Sequence, residues 1–248
     1  MRLDGKVAVV TGFESEVGRA IAVRLAAEGA SIVGCYGSAD KSRVGASTGD
    51  AGLESVVEVE GDPSRDADAR RMVAAAIEHF GRVDVLVNYG AARRIVGTIY
   101  DLTDEDFDEE LRVDLKGTIV LSRAAIPAMA KTGGGSVINL SSVAAPGVKG
   151  RVIRSATKAA LNSLTVVMAL DHGVEGVRVN ALLLGPLAPA GGRGDPKQQA
   201  DLAKNTALNQ INTVEDVAAA VAFLASDDAA RITGALIPLD AGRSLMRP

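Results

Sequence analysis

Short apolar runs alternate with stretches of helical periodicity along most of the chain. Val7–Thr11 is a β-branched run that ends at Gly12, and residues 17–28 place apolar side chains such as Ile21 and Leu25 on one helical face. The same two patterns recur further along the sequence. They predict strands at 31–35, 56–60, 83–88, 136–141 and 177–184, and helices at 66–80, 103–130 and 152–171.

Strands that alternate with helices indicate a parallel sheet, because each parallel crossover needs a long connection that is usually helical. The 248 residues are enough to enclose one large core. We therefore expect an α/β fold of the Rossmann type and a single domain, residues 1–248. Its doubly wound parallel sheet would have about seven strands, with helices on both faces.

Two segments interrupt this pattern. Residues 38–50 are rich in Ser, Gly and Asp where a crossover helix is expected, so we predict an irregular segment there. Residues 185–195 carry Pro186, Pro189 and several glycines and cannot hold a regular element. Because this second segment follows a strand end, residues 185–212 are interpreted as a lid over the substrate, and a plain surface connection is the alternative.

Composition narrows the range of partners. The net charge of -4 and the aromatic content of 3% offer neither the basic field nor the stacking platform that nucleic-acid binding requires. No apolar run has the length of a membrane span, so we expect a soluble protein without a membrane partner. The single cysteine, Cys35, cannot form an internal disulfide and lacks the neighbours of a zinc site, which favours a reducing compartment, the cytoplasm.

A turn containing glycine joins the first predicted strand to the first predicted helix. Its residues are Thr11-Gly12-Phe13-Glu14-Ser15-Glu16-Val17-Gly18, and they resemble the TGxxxGxG turn of the short-chain dehydrogenase/reductase (SDR) family. Other positions along nearly the whole chain agree with that family. They are Asp62, Asn88, Ser141-Ser142, Lys158, Arg178-Val179-Asn180 and Thr233-Gly234-Ala235. The sequence is therefore identified as a member of the SDR family.

The resemblance implies a nicotinamide dinucleotide whose pyrophosphate lies against the N-terminus of the first helix. On the family pattern the cofactor-binding residues are Gly12, Ser15, Glu16, Val17, Gly18, Asp62, Asn88, Gly90 and Lys158. Glu16 stands at the middle glycine of the turn and Ala91 at the last glycine of the family's NNAG motif, and both departures are expected to weaken binding or abolish it. Glu16 either occupies the anion site itself or is an ordinary acidic residue of a first helical turn.

The residues at the end of the second predicted strand indicate which nicotinamide dinucleotide is preferred. Residues 35–38 bring no carboxylate for a ribose 2′-hydroxyl, whereas Lys41 and Arg43 follow where they could meet a 2′-phosphate. If a dinucleotide binds, the sequence favours NADP(H). The alternative is that Lys41 and Arg43 are solvated charges of a loop.

The catalytic residues of the family are only partly present. SDR reductases use an Asn, a Ser, a Tyr and a Lys; Ser142 and Lys158 match, but Arg154 stands at the Tyr position and Asp114 at the Asn position. A guanidinium stays protonated to above about pH 12, so it neither gives nor takes a proton usefully. Arg154 is therefore expected to bind and polarise a substrate without relaying a proton.

The substitution at Arg154 raises two further questions. Arg154 and Lys158 are one helical turn apart and repel each other, so we expect an anion nearby, either Asp114 or a bound carboxylate or phosphate. In the alternative interpretation, Arg154 and Asp114 merely face water in a decayed site. Tyr89, one residue past the fourth predicted strand, is the candidate for a replacement proton donor, and a packing aromatic is its other interpretation.

Three functions remain open. The favoured one is an atypical NADP(H)-dependent oxidoreductase acting on a small-molecule carbonyl or secondary alcohol, in which Ser142 and Arg154 polarise the carbonyl and water or Tyr89 delivers the proton. The second is a cofactor-independent isomerase, lyase or cyclase that uses the same cluster with Lys158 and Asp114. The third is a non-catalytic subunit of an active homologue. The resemblance also implies assembly through the long helices into a homodimer or homotetramer, or a hetero-oligomer with a homologue.

Overall fold

The computed structural model describes residues 1–37, 56–90, 95–189 and 195–246. The predictions made for residues 38–50, including Lys41 and Arg43, lie outside these ranges. So do Ala91 and the part of the predicted lid at 190–194.

A parallel sheet in the order β3-β2-β1-β4-β5-β6-β7 forms the centre of the described chain. Its strands are β1 (Val7–Thr11), β2 (Ser31–Tyr36), β3 (Val56–Glu60), β4 (Val85–Asn88), β5 (Gly135–Ser142), β6 (Val177–Leu184) and β7 (Leu236–Leu239). This order confirms the predicted Rossmann-type α/β fold. β4 begins two residues later than predicted, and there the Asp84 carboxylate accepts a hydrogen bond from the Val7 N–H at 2.9 Å.

Helices cover both faces of this sheet. They are α1 (Glu16–Ala27), α2 (Asp66–Phe80), α3 (Asp104–Glu110), α4 (Gly117–Lys131), α5 (Val152–His172), α6 (Pro196–Ala203) and α7 (Val214–Ala225). None of the described helices is both long and apolar enough to cross a bilayer.

The long helix predicted at 103–130 is not regular throughout. Leu111–Lys116 form a π-helical segment between α3 and α4. The N–H of Gly117, the residue that follows this segment, donates to the Arg112 carbonyl. The Thr118 hydroxyl donates to the Asp114 carbonyl at 2.9 Å, so a side chain pairs with a backbone oxygen of this segment. Periodicity alone cannot show such a segment, because it continues the helix and shifts which residues share a face.

The alternation of side chains along each strand builds two apolar layers. Ala8 and Val10 of β1 point toward α1 and α7, whereas Val7 and Val9 point toward α2 and α4. All four are almost fully buried, as expected for a strand covered on both faces.

The strand order reverses between β1 and β4, and connections leave this point toward opposite sides of the sheet. In open parallel sheets, ligands bind beyond the carboxyl ends of the strands at such a switch point. The site is therefore sought beyond Thr11, Asn88 and Ser142, which end β1, β4 and β5.

Candidate active site

The turn after β1 is shaped by glycines that approach other backbone closely. Gly12 has φ +66°, and a Cβ there would lie 2.8 Å from the Tyr89 ring. A Cβ on Gly18 would lie 2.2 Å from the Gly12 carbonyl oxygen, so the turn folds back onto the start of α1. Ser15 caps α1 by accepting the Gly18 N–H at 3.0 Å, a contact that stabilises a helix by about 1 kcal/mol.

Glu16 is the first residue of α1, where a carboxylate is favoured by the helix dipole. It does not line the cavity described next, whereas Glu14 of the same turn does. Val17, the next residue, is buried in the layer beneath α1. Whether Glu16 weakens cofactor binding stays a prediction.

A cavity of about 710 Å³ opens beside the turn, at the switch point. It is lined by Gly12, by Asp62 beyond β3 and by Asn88, Tyr89 and Gly90 at the end of β4. Cys35, Tyr36 and Gly37 line its wall at the end of β2. Cavities of this size accept a cofactor or small ligand.

Two of the polar residues in this wall are fixed by hydrogen bonds. The Asp62 carboxylate accepts from the Ser64 N–H at 2.9 Å and forms an ion pair with Arg112. The Asn88 amide donates to the Asn139 side chain at 2.9 Å and to the Ser122 hydroxyl at 3.2 Å. The wall is thus preorganised on the side where the resemblance places a dinucleotide.

The predicted cofactor residues fit a dinucleotide in one specific respect. The cradle at Gly12 and Gly18 exists only because these residues have no Cβ, and backbone can approach a bound group there. Gly12, Asp62, Asn88 and Gly90 all line the same cavity. Lys158 lies behind that wall, since its ammonium contacts Asp114, whose carboxylate touches Gly90.

Ser142 ends β5 with its hydroxyl loosely held. Its Oγ accepts from the Ala144 N–H at 3.1 Å and donates to the Leu184 carbonyl at 3.4 Å. A donor bond of that length is weak, so the hydroxyl proton can turn toward a ligand.

Three of the other four predicted catalytic residues, Arg154, Lys158 and Asp114, meet in a buried cluster of charges between α5 and the π-helical segment. Lys158 Nζ lies 3.0 Å from Asp114 Oδ2, and Arg154 Nη1 lies 3.8 Å from the same oxygen. The Asp114 and Lys158 side chains are 0% and 2% exposed, whereas Arg154 keeps 28%. Asp114 therefore stands where a counter-ion to both cations is needed.

Lys158 is held at two points inside this cluster. Besides Asp114, its ammonium donates to the Leu140 carbonyl at 2.9 Å. Burial lowers the pKa of Lys158, and the Asp114 carboxylate opposes that effect. An ammonium can donate three hydrogen bonds, and in the described chain Lys158 donates one, to Leu140, beside its ion pair with Asp114.

A residue that the sequence analysis did not select completes the cluster. Glu110, the last residue of α3, is 1% exposed and lies 3.5 Å from Arg154 Nη1. Burial, followed by the charge of Asp114, raises the pKa of Glu110 to about 7. The sequence did contain a pattern that could have identified Glu110. Glu110 and Asp114 are four residues apart, as are Arg154 and Lys158, so each pair lies on one face of its helical stretch and the two acidic residues can meet the two basic ones.

Tyr89 lies between the turn and this cluster. Its ring packs against Gly12, and burial raises the pKa of its phenol, while the charge of Arg154 acts in the opposite direction. A raised pKa makes the phenol a weaker acid, and a role as proton donor stays a prediction.

Comparison with known proteins agrees with this fold. The family model described as enoyl-(acyl carrier protein) reductase matches residues 12–244. An uncharacterized oxidoreductase of Methylorubrum extorquens is 36% identical over 253 residues, covering 97% of this chain and 98% of that protein. The meso-2,3-butanediol dehydrogenase of Serratia marcescens is 35% identical over 244 residues, covering 98% and 96%.

Among solved structures, a blue fluorescent protein from a metagenomic library, in complex with NADPH, superposes with a TM-score of 0.88. It is 33% identical, and the match covers 98% of this chain and 99% of that one. The family match, these relatives and the shared fold together show that the protein belongs to the short-chain dehydrogenase/reductase family of oxidoreductases.

Proposed function

We propose that the protein is an NADP(H)-dependent oxidoreductase that interconverts a carbonyl and a secondary alcohol in a site where Arg154 takes the place of a phenol. The observation that carries this proposal is the contact between the cavity wall and the charge cluster. Gly90 lines the cavity, and a Cβ on it would lie 2.0 Å from Asp114 Oδ1, so the cluster that holds Arg154 lies directly behind the wall. The butanediol dehydrogenase and the NADPH complex among the similar proteins support the same function.

In this proposal the turn residues Gly12, Ser15, Val17 and Gly18 hold the dinucleotide from the side of α1, and Glu16 of the same turn weakens that binding. Asp62, Asn88 and Gly90 hold it from the strand ends, and Lys158 acts from α5, behind Gly90. When bound, the dinucleotide supplies or accepts the hydride. The rest of the chemistry belongs to side chains of this chain.

Ser142 and Arg154 act on the substrate oxygen. The Ser142 hydroxyl donates a hydrogen bond to it, and the guanidinium of Arg154 lowers the free energy of the negative charge that develops there. A guanidinium does not act as a proton donor or acceptor in proteins, so Arg154 polarises the oxygen but leaves the proton to another group. Water or Tyr89 delivers that proton to the oxygen.

The preference for NADP(H) rests on the end of β2. Cys35, Tyr36 and Gly37 bring no carboxylate to the cavity, and Lys41 and Arg43 follow in the sequence. Glu14 lines the same cavity and acts against a 2′-phosphate. Parallel titrations with NADPH and NADH decide between the two cofactors.

Fluorescence titration with NADPH and turnover with butane-2,3-diol or its diketone test the function. Ser142→Ala is expected to keep NADPH binding and to lose about 10²- to 10³-fold in kcat, the usual cost of one oxyanion donor. Ser31→Ala, at the start of β2, is the matched control and should retain activity. If the folded protein binds neither NADPH nor NADH, the proposal is wrong, and the cofactor-independent enzyme or the non-catalytic subunit takes its place.

The proposed small-molecule enzyme also assembles as a homodimer or homotetramer. Val166, Val167 and Leu170 leave 36%, 48% and 76% of their surface exposed on α5, an apolar stripe that a second copy would bury. Sedimentation equilibrium of the purified chain measures this assembly.

A further inference from the structure

Glu110 and Asp114 bury four carboxyl oxygens, and none of the four receives a hydrogen bond within the described part of the chain. Lys158 and Arg154 approach them as ion pairs, at 3.0 Å from Asp114 Oδ2 and 3.5 Å from Glu110 Oε1. Buried polar groups are nearly always paired, and the other two oxygens, Glu110 Oε2 and Asp114 Oδ1, also take no part in these closest ion-pair contacts, so they need an explanation.

A proton placed on Glu110 provides one. A protonated carboxyl has an O–H donor, whereas an ionised carboxylate only accepts. Asp114 lies one turn further along the same helical stretch, so the Glu110 O–H can donate to an Asp114 oxygen. Two carboxylates forced together in a buried site favour such sharing, because both cannot remain ionised at low cost.

We propose that Glu110 and Asp114 share one proton and form the proton reservoir of this active site. The role as reservoir rests on the oxidoreductase function proposed above, whereas the sharing itself rests only on the geometry of the pair. Glu110 is a positioning and proton-storing residue, since it is almost fully buried and reaches the cleft only through its neighbours.

The surrounding charges set the pH at which the reservoir works. Arg154 and Lys158 face the pair from α5, and Tyr89 lies beyond them at the end of β4. Burial, followed by the charge of Asp114, raises the pKa of Glu110 to about 7, so Glu110 exchanges the shared proton near neutral pH. In the protonated state the cluster carries two cations and one anion, and in the ionised state the charges balance.

The proton leaves the pair through Lys158. During reduction, Lys158 Nζ replaces the proton that water gives to the carbonyl oxygen, and the dinucleotide, when bound, would supply the hydride. The neutral amine then takes up the proton shared by Glu110 and Asp114 across the 3.0 Å contact. Solvent restores the proton to the pair, and oxidation of the alcohol follows the same steps in reverse.

The sharing is tested without any cofactor. Infrared difference spectra of the full chain between about pH 5 and about pH 9 report the protonated carboxyl band. Wild type should lose one such band near neutral pH, and Glu110→Gln should lack that transition. Asp108→Asn, which removes an exposed carboxylate from the same helix, is the matched control and should behave as wild type.

Two further variants show whether a missing transition results from the lost carboxyl group or from a folding defect. Asp114→Asn removes the second cause of the raised pKa, so the Glu110 transition should move to lower pH without disappearing. Glu110→Asp keeps a carboxyl group and should restore a transition. A near-neutral transition that persists in folded Glu110→Gln, or that is missing from wild type, would overturn the proposal.

The reservoir role is measured by turnover with NADPH and the diketone. Glu110→Gln should lower kcat by about 10²-fold, with KM and NADPH binding unchanged, and should remove the near-neutral limb of the pH profile. Equal kcat and equal pH profiles in Glu110→Gln and Asp108→Asn would show that the pair stores no catalytic proton. If wild type binds no dinucleotide, the proposed function fails instead, and the infrared transition still decides whether the proton is shared.

Discussion

The stability of the folded chain should depend on pH through Glu110. In the unfolded chain this carboxyl titrates near 4.5, whereas burial and the Asp114 charge raise its pKa to about 7 in the folded protein. Between these values the folded state binds more protons than the unfolded state. The contribution of Glu110 to stability is therefore fully present below about pH 4.5 and is lost as the pH rises through about 7.

The expected size of this effect follows from the two pKa values. A rise from 4.5 to about 7 corresponds to roughly 3 kcal/mol, at about 1.4 kcal/mol per pH unit. Glu110→Gln replaces the titrating carboxyl with a neutral side chain of similar shape. Relative to wild type, the variant should gain roughly 2 to 3 kcal/mol in free energy of unfolding between about pH 5 and about pH 8.

Urea unfolding followed by circular dichroism at a series of pH values measures this difference. Asp108→Asn controls for the loss of one carboxylate from the same exposed helix and should run parallel to wild type. If the free energies of Glu110→Gln and wild type differ by the same amount at every pH, Glu110 does not titrate in this window. The account of its burial would then be wrong.

Three other substitutions test the site. Arg154→Tyr should raise the rate of ketone reduction, measured as NADPH oxidation, by about 10²-fold if only a proton donor is missing. No gain in a variant that still binds NADPH would show that the geometry of the site is also altered. Gly90→Ala should lower the free energy of unfolding in urea by about 1 to 3 kcal/mol and weaken NADPH binding, because its Cβ would lie 2.0 Å from Asp114 Oδ1. Gly173→Ala, whose Cβ would have nothing within 4 Å, is the control, and equal stability of the two variants would contradict the close contact. If the Glu16 carboxylate lies about 4 Å from the pyrophosphate, Glu16→Gly should lower the Kd for NADPH tenfold or more in a fluorescence titration. An unchanged Kd would show that the Glu16 carboxylate interacts only with the helix dipole.

The local pattern predicted most of the scaffold. The β-branched run Val7–Thr11 and the helix Asp66–Phe80 were placed with the bounds that the structure shows. Each depends on periodicity within a few residues, which one sequence displays directly. No helix or strand was predicted beyond Leu184, although α6, α7 and β7 follow it.

The candidate site was predicted less completely. Ser142, Arg154, Lys158 and Asp114 were selected because they occupy motif positions, and Asp114 was also expected as a counter-ion to the two cations. Glu110 was missed, since a glutamate in a helix with many acidic neighbours usually faces water. Its burial depends on the π-helical segment that begins at Leu111 and on the packing of α5.

The sequence by itself determined the parallel α/β fold, the turn at Gly12 and the guanidinium at Arg154, because each depends on residues that are neighbours along the chain. Only the tertiary structure decided that Glu110 and Asp114 meet Arg154 and Lys158 behind Gly90. Charge and burial act through space, and the pKa of a carboxyl depends on which groups surround it after folding.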